Sequence, residues 1–81
     1  MSEELINAVK ENNLEQVKTL INHNFKYNDA LYWAAKKGHL DIVKFLVESG
    51  FKDEDALITA KINHHIEIYN YLKRNMKWAK N

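Results

Sequence analysis

The side chains most suited to catalysis or metal binding in this sequence are its four histidines, His23, His39, His64 and His65. Adjacent residues of a helix point about 100° apart, so His64 and His65 do not form one metal site on a shared face. The sequence has no cysteine, its serines occur only at positions 2 and 49, and its two glycines form no phosphate-binding loop. The residues therefore predict a protein that is not an enzyme and uses no metal or other cofactor.

A second group of candidates is basic and lies near the end of the sequence, where Trp78 is surrounded by Lys73, Arg74, Lys77 and Lys80. Basic side chains interleaved with an aromatic ring are typical of nucleic-acid contacts. The alternative is a polar cap on the end of the fold. We favour the cap, because twelve basic and eleven acidic residues give a net charge of +1, which attracts neither nucleic acid nor an anionic membrane.

An internal repeat of 26 residues must position these side chains. Residues 5–26 share nine identities with residues 31–52 without a gap, and the apolar pattern continues into residues 57–78. The aligned apolar sets are Leu5/Leu31/Leu57, Ala8/Ala34/Ala60, Leu14/Leu40/Ile66, Val17/Val43/Tyr69 and Leu20/Leu46/Leu72. A period of this size indicates stacked supersecondary units. We place them at about 3–28, 29–54 and 55–81, within a single domain that spans residues 1–81.

Each unit has the pattern of two short helices joined by a tight turn. In the second unit Leu31, Ala34 and Ala35 share one helical face, and a second apolar stripe begins at Leu40. The alanines leave room for a neighbouring helix to approach closely. The pattern predicts an all-α solenoid with helices at about 3–11, 14–22, 29–37, 40–48, 55–62 and 65–78.

Turn and cap residues mark the ends of these helices. The turns contain Asn12-Asn13, Gly38-His39 and His64-His65, and His64 at the glycine position predicts a distorted third turn. His39 and His65 are equivalent, which favours a structural role in the turn over metal binding. Asn28-Asp29 and Glu54-Asp55, like Ser2-Glu3-Glu4 in the first unit, supply N-terminal caps and negative charge. Asn24-Phe25 and Gly50-Phe51 predict Schellman stops, whereas Met76-Lys77 provides no stop.

The stretch from Ala30 to Gly50, ALYWAAKKGHLDIVKFLVESG, resembles the ankyrin repeat, most clearly from Gly38 onwards. The resemblance extends over the three units and implies a helical array that binds other proteins. Two features differ from the family pattern. The period is shorter than the usual 33 or so residues, and only Phe51–Glu54 separate Gly50 from the predicted start of the next helix. Such a connection is too short to form the projecting hairpin through which this family often meets its partners.

The resemblance implies a concave binding face formed by the first helix of each unit. Residue by residue, that face contains Trp33, Lys36 and Lys37, flanked by Asn7, Lys10 and Glu11 on one side and by Thr59, Ile62 and Asn63 on the other. Trp33 aligns with two polar residues, which favours an exposed position. The alternatives are that Trp33 packs over a neighbouring helix and that the lysines form a solvated face. Tyr32 aligns with Ile6 and Ile58, so we expect these three in the core or between units.

The sequence thus predicts a non-catalytic module that binds a partner protein through the first-helix face. Two alternatives remain open: a nucleic-acid contact through the basic C-terminal turn, and self-association through incompletely capped ends. We expect a monomer or a weak homo-oligomer. The start, MSEELINAV, lacks the features of a signal peptide, and no segment approaches transmembrane length, which predicts an intracellular, cytoplasmic protein without membrane contact.

Overall fold

Helices begin and end close to where the 26-residue pattern predicts them. The computed structural model describes residues 3–21 and 28–75, which contain six helices. In chain order they are α1 Glu3–Lys10, α2 Leu14–Ile21, α3 Asn28–Lys37, α4 Leu40–Glu48, α5 Glu54–Ile62 and α6 Ile66–Asn75. The all-α prediction is confirmed, with boundaries within one residue. The predicted extension of the last helix over residues 76–78 lies outside the described residues.

The helices stack as three two-helix units in two layers. Helices α1, α3 and α5 form the first layer, and α2, α4 and α6 form the second. The principal contacts join the two helices of a unit and connect each helix to its equivalent in the next unit. This arrangement is a short solenoid, in which each unit is stabilised by its neighbours.

The core lies between the layers and between successive units. Ala34, Ala35 and Ala60 are completely buried, because their small side chains allow the first-layer helices to approach closely. Larger apolar side chains fill the space towards the second layer. The most deeply buried of these are Leu5, Val9, Val17, Leu31, Ile42, Val43, Leu46 and Leu72.

A Schellman turn joins the two helices of every unit. Asn12, Gly38 and His64 have φ values of 60°, 83° and 64°. In each turn the N–H of the next residue donates to a carbonyl five residues back, at 2.9, 3.0 and 2.9 Å. The predicted distortion at His64 is therefore wrong. For a residue other than glycine, this left-handed backbone conformation costs about 1–2 kcal/mol. His64 nevertheless adopts it, and its turn forms the same hydrogen bond as the turn at Gly38.

Helix α4 also ends in a Schellman motif, as predicted. Gly50 has φ 102°, and its N–H donates to the Val47 carbonyl at 3.0 Å. The Phe51 N–H donates to the Leu46 carbonyl at 3.0 Å, and the Phe51 ring is buried against the core. The equivalent predictions at Asn24-Phe25 and Met76-Lys77 lie outside the described residues.

The N-terminus of α5 is capped by Asp53. Its side chain accepts a hydrogen bond from the Asp55 N–H at 2.9 Å, which satisfies a backbone donor that the helix leaves unpaired. We predicted Glu54-Asp55 as the cap, and this was wrong by one residue, because the helix begins at Glu54. We also predicted that Asn28-Asp29 precedes α3, but this helix already begins at Asn28. The cap predicted at Ser2 lies outside the described residues.

Removing this cap should destabilise the fold, whereas removing its charge should not. We expect Asp53→Ala to lower the free energy of unfolding by about 1 kcal/mol, the usual value for a lost cap. Asp53→Asn keeps the acceptor and should be at least as stable as the wild type at pH 7. Burial, together with repulsion from Asp55 and Asp29, raises the pKa of the Asp53 carboxyl despite the hydrogen bond from the Asp55 N–H.

Because the folded-state pKa of Asp53 lies above its ordinary value, the folded protein holds this proton more tightly than the unfolded chain. The stability contributed by this group therefore falls as pH rises from the ordinary carboxyl range through the raised pKa. Urea unfolding of the two variants at pH 7 and at acidic pH measures both effects. Equal destabilisation by Asp53→Ala and Asp53→Asn would show that the ionised charge, and not the acceptor, stabilises α5.

Candidate functional site

The Trp33 ring lies within cation–π distance of two lysine side chains on the first layer of helices. Its ring centroid is 4.1 Å from the Lys10 Nζ and 5.0 Å from the Lys36 Nζ. The Tyr32 ring meets Trp33 edge-on, with centroids 5.6 Å apart and an interplanar angle of 84°. We refer to Lys10, Tyr32, Trp33 and Lys36 as the Trp33 cluster. Cation–π contacts and edge-to-face rings are favourable geometries for these side chains.

The repeat itself brings the cluster together. Trp33 and Lys36 are three residues apart on α3, so they lie on neighbouring turns of one helical face. Lys10 comes from the last turn of α1, which packs against α3 in the first layer. The Trp33 cluster is thus a contact between the first two units. Its shape depends on their stacking and not on a loop.

Trp33 is half-buried, and its inner side packs against the core. The structure therefore combines the two alternatives drawn from the sequence, since Trp33 packs over a neighbouring helix and also reaches the surface. Tyr32 is half-buried as well, where we predicted a core or inter-unit position. It is the member of the cluster that we did not predict for the site. The sequence signal for Tyr32 was its four-residue spacing from Lys36, which places the two side chains on one helical face. The Lys36 Nζ lies 5.8 Å from the centroid of the Tyr32 ring.

The remaining eight predicted residues fall into two groups by exposure. Thr59 is buried, with only 7% of its surface accessible, so its predicted place on the binding face is wrong. Its Oγ1 accepts a hydrogen bond from the Asn63 Nδ2 at 3.0 Å, and Asn63 also donates to the Thr59 carbonyl at 2.8 Å. A small polar side chain can be buried here because Asn63 satisfies it. The other predicted residues are exposed: Asn7, Lys10, Glu11, Lys36, Lys37, Ile62 and Asn63.

The surface around Trp33 is positively charged. Lys10, Lys36 and Lys37 are exposed there, and Glu11 is the acidic member of the predicted set. The raised pKa values lie elsewhere in the described chain. The first is the pKa of Asp53, described above. The second is the pKa of Tyr71 in the second layer, which is raised mainly by burial and also by repulsion from Glu48. The Trp33 cluster therefore combines two aromatic rings with two lysine ammonium groups.

His39 and His65 hold successive units together. The Nε2 of His39 lies 3.2 Å from the Lys10 carbonyl, and that of His65 lies 3.0 Å from the Lys36 carbonyl. Each histidine thus pairs with a carbonyl in the last turn of the first-layer helix of the preceding unit. The structural interpretation of these residues is supported, with an added inter-unit role. Residues 3–21 and 28–75 contain no group of three side chains able to hold a metal ion, and His23 lies outside these ranges.

The basic C-terminal turn is only partly described. Lys73 and Arg74 are exposed on α6, and the Lys73 Nζ lies 5.5 Å from the centroid of the Tyr69 ring. Trp78, Lys77 and Lys80 lie outside the described residues. No helix in the described ranges is both long and apolar enough to cross a membrane.

Comparison with known proteins agrees with this geometry. A family model described as ankyrin repeats, in three copies, matches residues 5–80. No curated protein matches the chain, and no solved structure does so.

Proposed function

Because the chain belongs to the ankyrin repeat family, whose members are generally protein–protein interaction modules, we propose that it binds a partner protein through the surface centred on Trp33. The family is typically non-catalytic, and we extend this property to the chain. The proposed surface, called here the first-helix surface, consists of Trp33 and the exposed residues Asn7, Lys10, Glu11, Lys36, Lys37, Ile62 and Asn63.

The observation that carries the proposal is the half-buried Trp33 ring with two lysine ammonium groups within cation–π distance. Interfaces concentrate their binding energy in a few large side chains, and tryptophan is among the most frequent. The inner side of Trp33 is fixed by the core, and Lys10 and Lys36 restrict its ring further. An aromatic side chain held in this way loses little conformational entropy when it binds.

The charges around Trp33 indicate the chemistry of the partner. Lys10, Lys36 and Lys37 would complement carboxylates placed around an apolar side chain that covers the ring. We therefore propose a partner segment with one large apolar residue flanked by Asp or Glu. A partner of this kind should associate faster at low salt, because exposed charges are screened as ionic strength rises.

Substitution of Trp33 tests the proposal. Affinity capture with mass spectrometry, or selection from a displayed peptide library, provides the ligand, and titration calorimetry measures its affinity. We expect Trp33→Ala to weaken binding by about 2 kcal/mol or more, roughly thirtyfold, as truncation of an interface anchor does. Lys18→Ala, at an exposed position on α2, is the matched control and should bind like the wild type.

Two further measurements keep the test informative if Trp33→Ala unfolds. Lys10→Glu and Lys36→Glu change exposed residues, and each should weaken binding and reduce its dependence on salt. The Trp78→Phe variant contains Trp33 as its only tryptophan. Its fluorescence should be quenched by iodide in the free protein and protected from quenching in the complex. Wild-type affinity in all three surface variants would overturn the proposal. Loss of binding only on Trp78→Ala would place the site at the basic C-terminal turn.

A further inference from the structure

The last unit exposes three isoleucines on α5 and at the start of α6. Their side chains retain 53%, 68% and 55% of their accessible surface, in the order Ile58, Ile62 and Ile66. We refer to these residues as the α5 end face. We predicted Ile58 and Ile66 as part of the apolar repeat pattern, and their exposure is a correction. Ile58 and Ile62 lie one turn apart on one face of α5, and exposed aliphatic side chains placed together in this way indicate a contact.

The equivalent positions in the first two units show what normally covers such residues. Ile6 and Tyr32 align with Ile58, and Leu14 and Leu40 align with Ile66; all four are half-buried, in units that are each followed by another unit. Helix α5 is the last first-layer helix in the described ranges, so Ile58 and Ile66 lack this cover there. Ile62 is different, since its equivalents are the exposed lysines Lys10 and Lys36. The last unit therefore has an apolar residue where the repeat normally has a charged one.

The opposite end of the stack has the reverse character. Glu4 is exposed on α1, whereas its equivalents Ala30 and Ala56 are completely buried between units. Gln16 is exposed on α2, whereas its equivalents Ile42 and Ile68 are buried. Stacking another copy head-to-tail would bury the Glu4 carboxylate without a partner, which is unfavourable. The α5 end face is not suited to the first unit of a second molecule.

We infer that the α5 end face binds the α5 end face of a second copy, around a twofold axis. With the axis near Ile58, the two α5 helices run antiparallel and Ile58 packs against its counterpart, while Ile62 lies one helical turn away from the axis. The acidic first turn, Glu54 and Asp55, then lies beside Lys61 in the last turn of the other copy. The opposed helix dipoles add to this complementarity. This face shares Ile62 with the first-helix surface, whereas Trp33 lies outside it.

Sedimentation of the full chain over a concentration series tests the inference. We expect the average mass to rise from 9.6 kDa towards twice that value as the concentration approaches the millimolar range, because the interface is small. Ile58→Lys should weaken self-association about tenfold or more, since a twofold axis places the two new ammonium groups against each other. Glu4→Lys, at the other end of the stack, is the control and should leave self-association unchanged.

A disulfide test reports the geometry separately. The chain has no cysteine, so Ile58→Cys supplies a single thiol per molecule. Upon oxidation it should form a covalent dimer, whereas Lys18→Cys should not do so at the same concentration. A mass of 9.6 kDa at every concentration would overturn the inference, as would species larger than a dimer, which indicate head-to-tail stacking. Ile58 lies outside the first-helix surface, so Ile58→Lys should leave partner affinity unchanged when the affinity is measured at concentrations at which the wild type is monomeric.

Discussion

Gly38→Ala should lower the free energy of unfolding by about 2 kcal/mol or more, although it adds only one methyl group. Part of this effect is conformational, because alanine in a left-handed turn costs about 1–2 kcal/mol. The rest is steric, since a Cβ at Gly38 would lie 2.8 Å from the Cε1 of His65 in the next unit. Relief of that contact must move the ring that pairs with the Lys36 carbonyl. Denaturant unfolding at constant pH measures the total.

Gly50 provides the matched control for this prediction. Its φ of 102° imposes a comparable backbone penalty on alanine, but among residues 3–21 and 28–75 no atom beyond its chain neighbours lies within 4 Å of the added Cβ. Gly50→Ala should therefore be less destabilising than Gly38→Ala. In a His65→Ala background the steric part disappears, and the effect of Gly38→Ala should fall to that of Gly50→Ala. If His65→Ala leaves the effect of Gly38→Ala unchanged, the two residues are not coupled, and the steric argument is wrong.

Ala34→Leu should destabilise the protein by about 1–3 kcal/mol, the usual range for additional side-chain volume in a packed core. Ala34 is completely buried on α3, the first-layer helix that packs against both α1 and α5. A larger side chain there must push a neighbouring unit away or adopt a strained rotamer. Thermal unfolding followed by circular dichroism measures the loss.

Lys18→Leu is the control for Ala34→Leu, because it introduces the same side chain at an exposed position on α2. We expect this substitution to change stability by no more than about 0.5 kcal/mol, as is usual for surface positions. Equal melting temperatures for the two variants would contradict the close approach of the first-layer helices.

The positions of helices and turns could be predicted because they depend on local chemistry. The 26-residue alignment identified the apolar faces, and the residue types at Asn12 and Gly38 suit the left-handed turn that each adopts. His64 was misjudged because a strained conformation can persist when the surrounding hydrogen bonds fix it. Fold class therefore followed from repeated short-range patterns.

The site could be predicted only in part, since it depends on contacts between units. The sequence indicated Trp33 and its lysines, but not the distances between them. Thr59 aligns with Trp33 and was expected on the surface, yet it is small enough to be covered and has Asn63 as a hydrogen-bond partner. His39 pairs with a carbonyl 29 residues away, which depends on the spacing of the stack. An alignment of repeats gives equivalent positions and not equivalent surroundings.

The short connections between units have a consequence for folding. Only five residues, Ser49 to Asp53, join α4 to α5, and the hydrogen bonds of His39 and His65 each reach 29 residues back, to the preceding unit. Contacts in a repeat stack connect neighbouring units, and a chain without longer connections is expected to fold rapidly. The first and last units each have one neighbour in the described chain, whereas the middle unit has two. Unfolding should therefore begin at either end and reach α3 and α4 last.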